Sequence, residues 1–300
     1  MKFTKMHGTG NDFIIIDDRL EKLKGEENAL SIKLCHRRFS IGADGVIFVR
    51  EKDGMPYMKI VNSDGSNANM CGNGIRCFAA FLFKNSIINN SSIKIYTDDG
   101  VKNAIIEGND VTIDMGKFSF SPEDIPALSD HEIVREKICV LDKSYEISSL
   151  LLGVPHTVIF YDDENEINVQ EGAFIEKYKL FPKGTNINFC KVVNKDELIV
   201  KTWERGAGAT FSCGTGASAS VVCGDRLGLL NKEVLVDVPG GKLKIKIEGE
   251  SVFMKGEATF VFEGEINYPF EVTGKKLYSI EEVCGENWED GLDEIEDEWE

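Results

Sequence analysis

The chain has 300 residues, 42% of them hydrophobic and 28% charged, which is ample for two domains of ordinary size. Its net charge of −17 is concentrated at one end: eleven acids and no bases lie between Glu281 and Glu300, leaving −6 on the rest. No basic face marks a nucleic-acid partner, and no apolar run approaches the ~20 residues that cross a bilayer, so neither nucleic acid nor membrane is expected.

The N-terminus runs straight into an alternating pattern and carries no apolar signal core, which points to a cytoplasmic protein. Its eight cysteines are then expected as reduced thiols. They form neither CxxC pairs nor Cys/His clusters of zinc spacing, so no metal site is expected. In chain order, the patterning predicts a strand at Phe13–Ile16, another at Met58–Val61 and a helix at Ile75–Lys84, opened by "CGNG" at Cys71. It predicts further strands at Thr157–Phe160 and Ile199–Trp203, and a second helix at Ala217–Leu227, opened by "CGTG" at Cys213. A hairpin pairs Lys242–Glu248 with Val252–Lys255.

The two Cys-Gly-x-Gly turns lie 142 residues apart, and other features repeat with them. At that offset Phe39–Asp44 falls on Phe181–Asn186, and Asn62 and Ser63 fall on Glu204 and Arg205. At an offset of 145, Gly8–Asp18 meets Gly153–Asp163; at 141, Gly100 and Gly108 meet Gly241 and Gly249. Four matches in one order indicate an internal duplication. The expected fold is α+β with two domains, each a curved mixed or antiparallel sheet wrapped around one central helix. The first half covers 1–116 and the second 117–256, with 257–268 returning to complete the first sheet. Residues 269–300 form an acidic extension, in which Trp288, Leu292, Ile295 and Trp299 share one face of a helix.

A cysteine at a helix start meets free N–H groups and the positive end of the helix dipole, which favour partial thiolate near neutral pH. Glycines let the backbone approach a ligand, and Asn73 and Thr215 add polar groups. Two such ends converging would hold one small carboxylate. One thiolate can then remove its α-proton while the other, as a thiol, returns a proton to the opposite face. Inversion at that carbon needs no cofactor if the helix ends stabilise the developing charge.

At these residues the chain resembles the diaminopimelate epimerase family. The resemblance runs from Met1 to about Ile266, carried by "KMHGTGNDF", "GADGVIFV", "NSDGSNANMCGNGIRC", "PHTV", "GTNINF", "ERGAGATFSCGTGASA" and "PGGKL". It implies a cofactor-independent enzyme of lysine and peptidoglycan precursor synthesis, with its active site in the cleft between two similar domains. It further implies Cys71 and Cys213 as the acid/base pair, with His156 and Glu204 beside them tuning their protonation. The N–H groups of Gly72-Asn73 and Gly214-Thr215 would hold the reacting carboxylate, and Asn11, Asn62, Asn186 and Arg205 the far end of the amino acid. Two positions depart from the family: Val154 stands where Asn is usual, and Ala209 where Glu is usual. Both bear on substrate identity. A racemase of another amino acid, a thiol switch and a binding module for a dicarboxylic amino acid stay open as readings, as does a homodimer.

Overall fold

The computed structural model describes residues 1–268, so the Trp288–Trp299 helix face and the acidic extension lie outside the described residues. The first half comprises β1 (Lys2–Gly8), β2 (Asn11–Asp17), α1 (Glu27–Cys35), β3 (Gly45–Lys52), β4 (Met55–Asn62), β5 (Asn67–Ala68), α2 (Gly72–Lys84), β6 (Ser92–Thr97), β7 (Gly100–Glu107) and β8 (Asp110–Lys117). The second comprises β9 (Glu136–Val140), β10 (Lys143–Leu152), β11 (Val154–Tyr161), α3 (Gly172–Ile175), β12 (Asn186–Asn194), β13 (Glu197–Glu204), β14 (Gly208–Thr210), α4 (Gly214–Arg226), β15 (Glu233–Val238), β16 (Gly241–Glu248) and β17 (Ser251–Glu257). A last strand, β18 (Thr259–Glu265), follows.

The pairing pattern repeats the duplication. In the first half, β1–β2 is antiparallel, β2–β3 parallel, β3–β4 antiparallel, β4–β6 parallel, and β6–β7–β8 an antiparallel meander. In the second half β10, β11, β12, β13, β15, β16 and β17 follow the same sequence of senses. The two sheets join through an antiparallel β8–β17 ladder centred on Ile113 and Met254. The outer edges are closed alike, β18 lying against β1 and β9 against β10. Each half is thus a mixed sheet of the same order, an α+β fold built twice.

Each sheet wraps one helix. α2 touches β1, β2, β3, β4, β7 and β8, and α4 touches every long strand of its own half from β10 to β17. Such a helix is apolar on most of its surface, with Asn73 and Arg76 the buried polar exceptions in α2. In α2, Gly72 to Leu82 are all buried, and α4 is buried from Gly216 to Gly224. Burying a side chain such as Ile75 or Phe78 contributes roughly 1.5–3 kcal/mol. α4 instead carries Ala217, Ser218, Ala219 and Ser220, small residues that let the sheet close tightly around it.

Both helices begin three residues earlier than the patterning predicts, at Gly72 and Gly214 rather than Ile75 and Ala217, and α4 ends at Arg226 rather than Leu227. Glycine propensity argues against those first turns. They form because a cysteine caps each one: Cys71 Sγ accepts from Gly74 N at 3.4 Å and Cys213 Sγ from Gly216 N at 3.3 Å.

Candidate active site

The N-termini of α2 and α4 abut. A Cβ built on Gly72 would lie 3.7 Å from the Gly214 Cα, and one built on Gly214 would lie 2.8 Å from Met254 Sδ. This approach places the residues after both capping cysteines side by side, and a side chain at Gly214 would displace Met254. Asn73 secures the junction by donating through Nδ2 to the Ser212 carbonyl at 2.9 Å, just before Cys213. Thr9 secures it a second time, its hydroxyl 2.7 Å from Ser212 Oγ and 3.2 Å from Asn73 Oδ1. Thr9 holds this position at a φ of 48°, a left-handed conformation strained for a β-branched residue. The loop of Gly240 lies equally close, since a Cβ there would fall 1.8 Å from the Thr9 carbonyl oxygen.

The surroundings of the two thiols differ. Cys71 is half-buried and its thiol lies 3.4 Å from Asn11 Oδ1. Asn11 is oriented for this by Asp44, which accepts from its Nδ2 at 2.7 Å and is itself paired with Arg37. Cys213 is buried, with Thr215 Oγ1 at 3.4 Å and the Glu204 carboxyl within hydrogen-bonding reach. Thr210 donates to Glu204 Oε1 at 2.7 Å and fixes that carboxyl.

Burial reverses the thiolate expectation. Desolvation pushes both thiols up, Cys71 above its ordinary value and Cys213 well above, while the Gly74 and Gly216 N–H groups pull only partly against it. The negative charge of Glu204 raises both further. Glu204 is in turn raised by burial, opposed by its hydrogen bonds from Thr210 and Cys213. Both cysteines are therefore thiols in this structure, and a thiolate requires added positive charge or a proton acceptor.

His156 is fully buried and held down to about 3, first by desolvation and then by the charge of Arg205. Asn188 Nδ2 lies 3.2 Å from its Nδ1, so Nδ1 accepts and the proton sits on Nε2. That Nε2 is buried and has no partner among the described residues. His156 is a neutral hydrogen-bond donor, not an imidazolium. Its counterpart in the first half is Asn11, at the 145-residue offset.

The remaining candidates make the following contacts. Asn62 Nδ2 donates to Ser66 Oγ at 2.9 Å. Asn186 is buried, donating to the Pro155 carbonyl at 2.9 Å and accepting from Arg205 N at 2.8 Å. The exposed Arg205 guanidinium donates through Nη1 to the carbonyls of Lys183 and Gly184 at 2.7 and 3.3 Å. Val154 opens β11 and Ala209 is exposed in β14. Sequence reasoning missed Thr9, Ser212 and Asn188. Thr9 and Ser212 fall within distinctive blocks, but nothing in the sequence signals that residues 203 apart hydrogen-bond to each other.

Comparison with known proteins identifies a family. The family model described as diaminopimelate epimerase matches residues 3–121 and 149–261, segments that contain Cys71 and Cys213 respectively. A diaminopimelate epimerase of Clostridium perfringens is 50% identical over 270 residues, covering 88% of this chain and 98% of that protein. One from Methanothermobacter thermautotrophicus is 39% identical, covering 87% and 97%. Among solved structures, a phenazine biosynthesis protein of the PhzF family from Bacillus anthracis superposes with a TM-score of 0.67 at 14% identity, covering 89% of this chain and 99% of that one. A hydroxyproline epimerase from Agrobacterium vitis does so with a TM-score of 0.63 at 13% identity, covering 89% and 90%. Those two likenesses concern the fold alone. With both halves matched and relatives aligned over nearly their whole length, the chain belongs to the diaminopimelate epimerase family.

Proposed function

We propose that the protein interconverts LL- and meso-diaminopimelate by two-base proton transfer between Cys71 and Cys213, in lysine and peptidoglycan precursor synthesis. The observation that carries this is the meeting of two cysteine-capped helix N-termini at the Gly72–Gly214 contact. The N–H groups of Gly72-Asn73 and Gly214-Thr215 bind the reacting carboxylate, where a helix end favours negative charge. One cysteine, as thiolate, takes the α-proton and becomes a thiol. The charge left on carbon spreads into the carboxylate, where the N–H groups oppose it. The other thiol delivers its proton to the opposite face and becomes the thiolate, so the α-carbon inverts and no net proton is gained or lost. No cofactor enters the scheme.

The initial thiolate follows from charge. The substrate's α-ammonium brings a positive charge against thiols that burial and the charge of Glu204 keep protonated, and Glu204 accepts a proton from Cys213. Neutral His156 supplies its Nε2–H as a donor beside the thiols. Asn62 and Arg205 face the distal end of the amino acid, Asn186 holds Arg205 in place, and Asn11 orients Cys71. The assignment of 1–116 and 117–256 as the two domains, with 257–268 joining the first, is part of the same reading, supported by the repeated strand order. We take the protein to work in the cytoplasm, where its cysteines stay reduced, and as a homodimer. Sedimentation would test the assembly.

The decisive test is a panel of amino acids in D₂O followed by NMR. Deuterium should enter the α-position of diaminopimelate, and Cys71→Ala and Cys213→Ala should each remain folded and lose epimerisation. Activity above a few per cent of wild type in either variant would exclude two bases. Faster exchange with another amino acid would make the protein a racemase on the same scaffold.

A further inference from the structure

The partners of the two thiols differ in one chemical respect. Glu204, beside Cys213, is a carboxyl and can take the thiol's proton away. Asn11, beside Cys71, is an amide, whose oxygen accepts a hydrogen bond but not the proton itself. Which end of that amide faces the sulfur therefore decides the state it favours. A carbonyl oxygen there stabilises S–H, whereas an N–H would stabilise the thiolate.

Two groups that can only accept settle the orientation. Asp44 Oδ2 accepts from Asn11 Nδ2 at 2.7 Å and from the Asp12 N–H at 3.1 Å. On the other side, the Ser212 carbonyl accepts from Asn73 Nδ2 at 2.9 Å, so it is an N–H of Asn73 that lies 3.4 Å from the Asn11 amide. Asn11 must then turn Oδ1 inward. The Cys71 thiol, which accepts from Gly74 N, donates to that oxygen at 3.4 Å. Arg37 holds Asp44 in turn, reaching its Oδ1 at 2.7 Å and both oxygens of Asp12, which also pairs with Lys5. In the second half His156 takes the place of Asn11, at the 145-residue offset, and Asn186 that of Asp44, at 142. Asn186 carries no carboxylate, so this lock belongs to the first half.

We propose that Asp44 is a positioning residue: by locking the Asn11 amide it keeps Cys71 the proton-carrying thiol, so that Cys71 starts as the acid of the pair and Cys213, whose proton passes to Glu204, as the base. This rests on the two-base reading, but its consequence can be read without turnover. Iodoacetamide alkylates thiolates, and peptide mapping of the full-length protein across a pH series gives each cysteine's ionisation midpoint separately from its access. Asp44→Ala frees the amide to turn Nδ2 toward the sulfur. Asp44→Asn removes the charge but keeps an oxygen for Asn11 Nδ2. Neither variant alters Glu204 or Arg76, whose charges act on Cys71. In Asp44→Ala the Cys71 midpoint should fall by about one unit, which makes alkylation near neutral pH about tenfold faster. In Asp44→Asn, and for Cys213 in both variants, rates should stay within about threefold of wild type. An unmoved Cys71 midpoint in Asp44→Ala, an equal fall in Asp44→Asn, or an equal fall at Cys213 overturns the proposal. Asp44 is exposed. Should Asp44→Ala still fail to fold, Asn11→Ala decides, since it removes the acceptor and leaves Asp12, Arg37 and Asp44 in place. A fall of about one unit at Cys71 then supports the lock, and an unmoved midpoint overturns it. None of these results depends on whether the protein epimerises diaminopimelate.

Discussion

Neutral, buried His156 makes stability fall in acid, and the amount can be worked out. Its ordinary pKa of 6.5 is held down to about 3 in the folded protein. As pH falls through 6.5 the unfolded chain takes up a proton that the native site refuses. The stabilisation is therefore complete above 6.5, declines below it, and is gone at about 3. At about 1.4 kcal/mol per unit, the whole interval amounts to about 5 kcal/mol, of which about 2 kcal/mol is lost between neutrality and about pH 5. The perturbation is His156→Asn, whose Oδ1 can take the place of Nδ1 as acceptor for Asn188 Nδ2 while carrying no titratable group. Urea unfolding midpoints and slopes of both proteins at about pH 7.5 and about pH 5 give a double difference in which every other titrating group cancels to first order. Wild type should lose about 2 kcal/mol more than the variant on acidification. Parallel losses in the two proteins would mean that His156 is solvated or charged in the fold, and its assignment as a neutral donor would fail.

Glu204→Gln should lower kcat/KM for α-deuterium exchange by about 10²–10⁴-fold, because an amide cannot accept the proton of Cys213. Unfolding stability should not fall with it, since a desolvated carboxyl has been removed; activity within about tenfold of wild type would remove Glu204 from the proton path. Gly216→Ala places a Cβ 2.3 Å from Asn188 Oδ1 and 3.2 Å from Cys213 Sγ. Urea unfolding should show a loss of about 1–3 kcal/mol together with loss of exchange activity, and an unperturbed variant would contradict the packing described for the first turn of α4.

Sequence alone determined the duplication, the two cysteine turns and the central helix of each half. Cys71 and Cys213, Asn62 and Glu204, and the glycines of the hairpins kept corresponding places at nearly one offset. Chemistry that depends on residue type and spacing survives as letters in a row. Where α2 and α4 begin was less legible, because glycine's propensity argues against helix and only the thiol caps overcome it. Tertiary structure alone decided the ionisation. The helix ends favour thiolate locally, but enclosure by the sheets outweighs them, and desolvation depends on atoms from the whole fold. It also decided the contacts of Asn186, which donates to the Pro155 carbonyl and accepts from the Arg205 backbone N–H. A hydrogen bond such as Thr9 to Ser212 exists only once two sheets have closed around their helices and brought distant turns together.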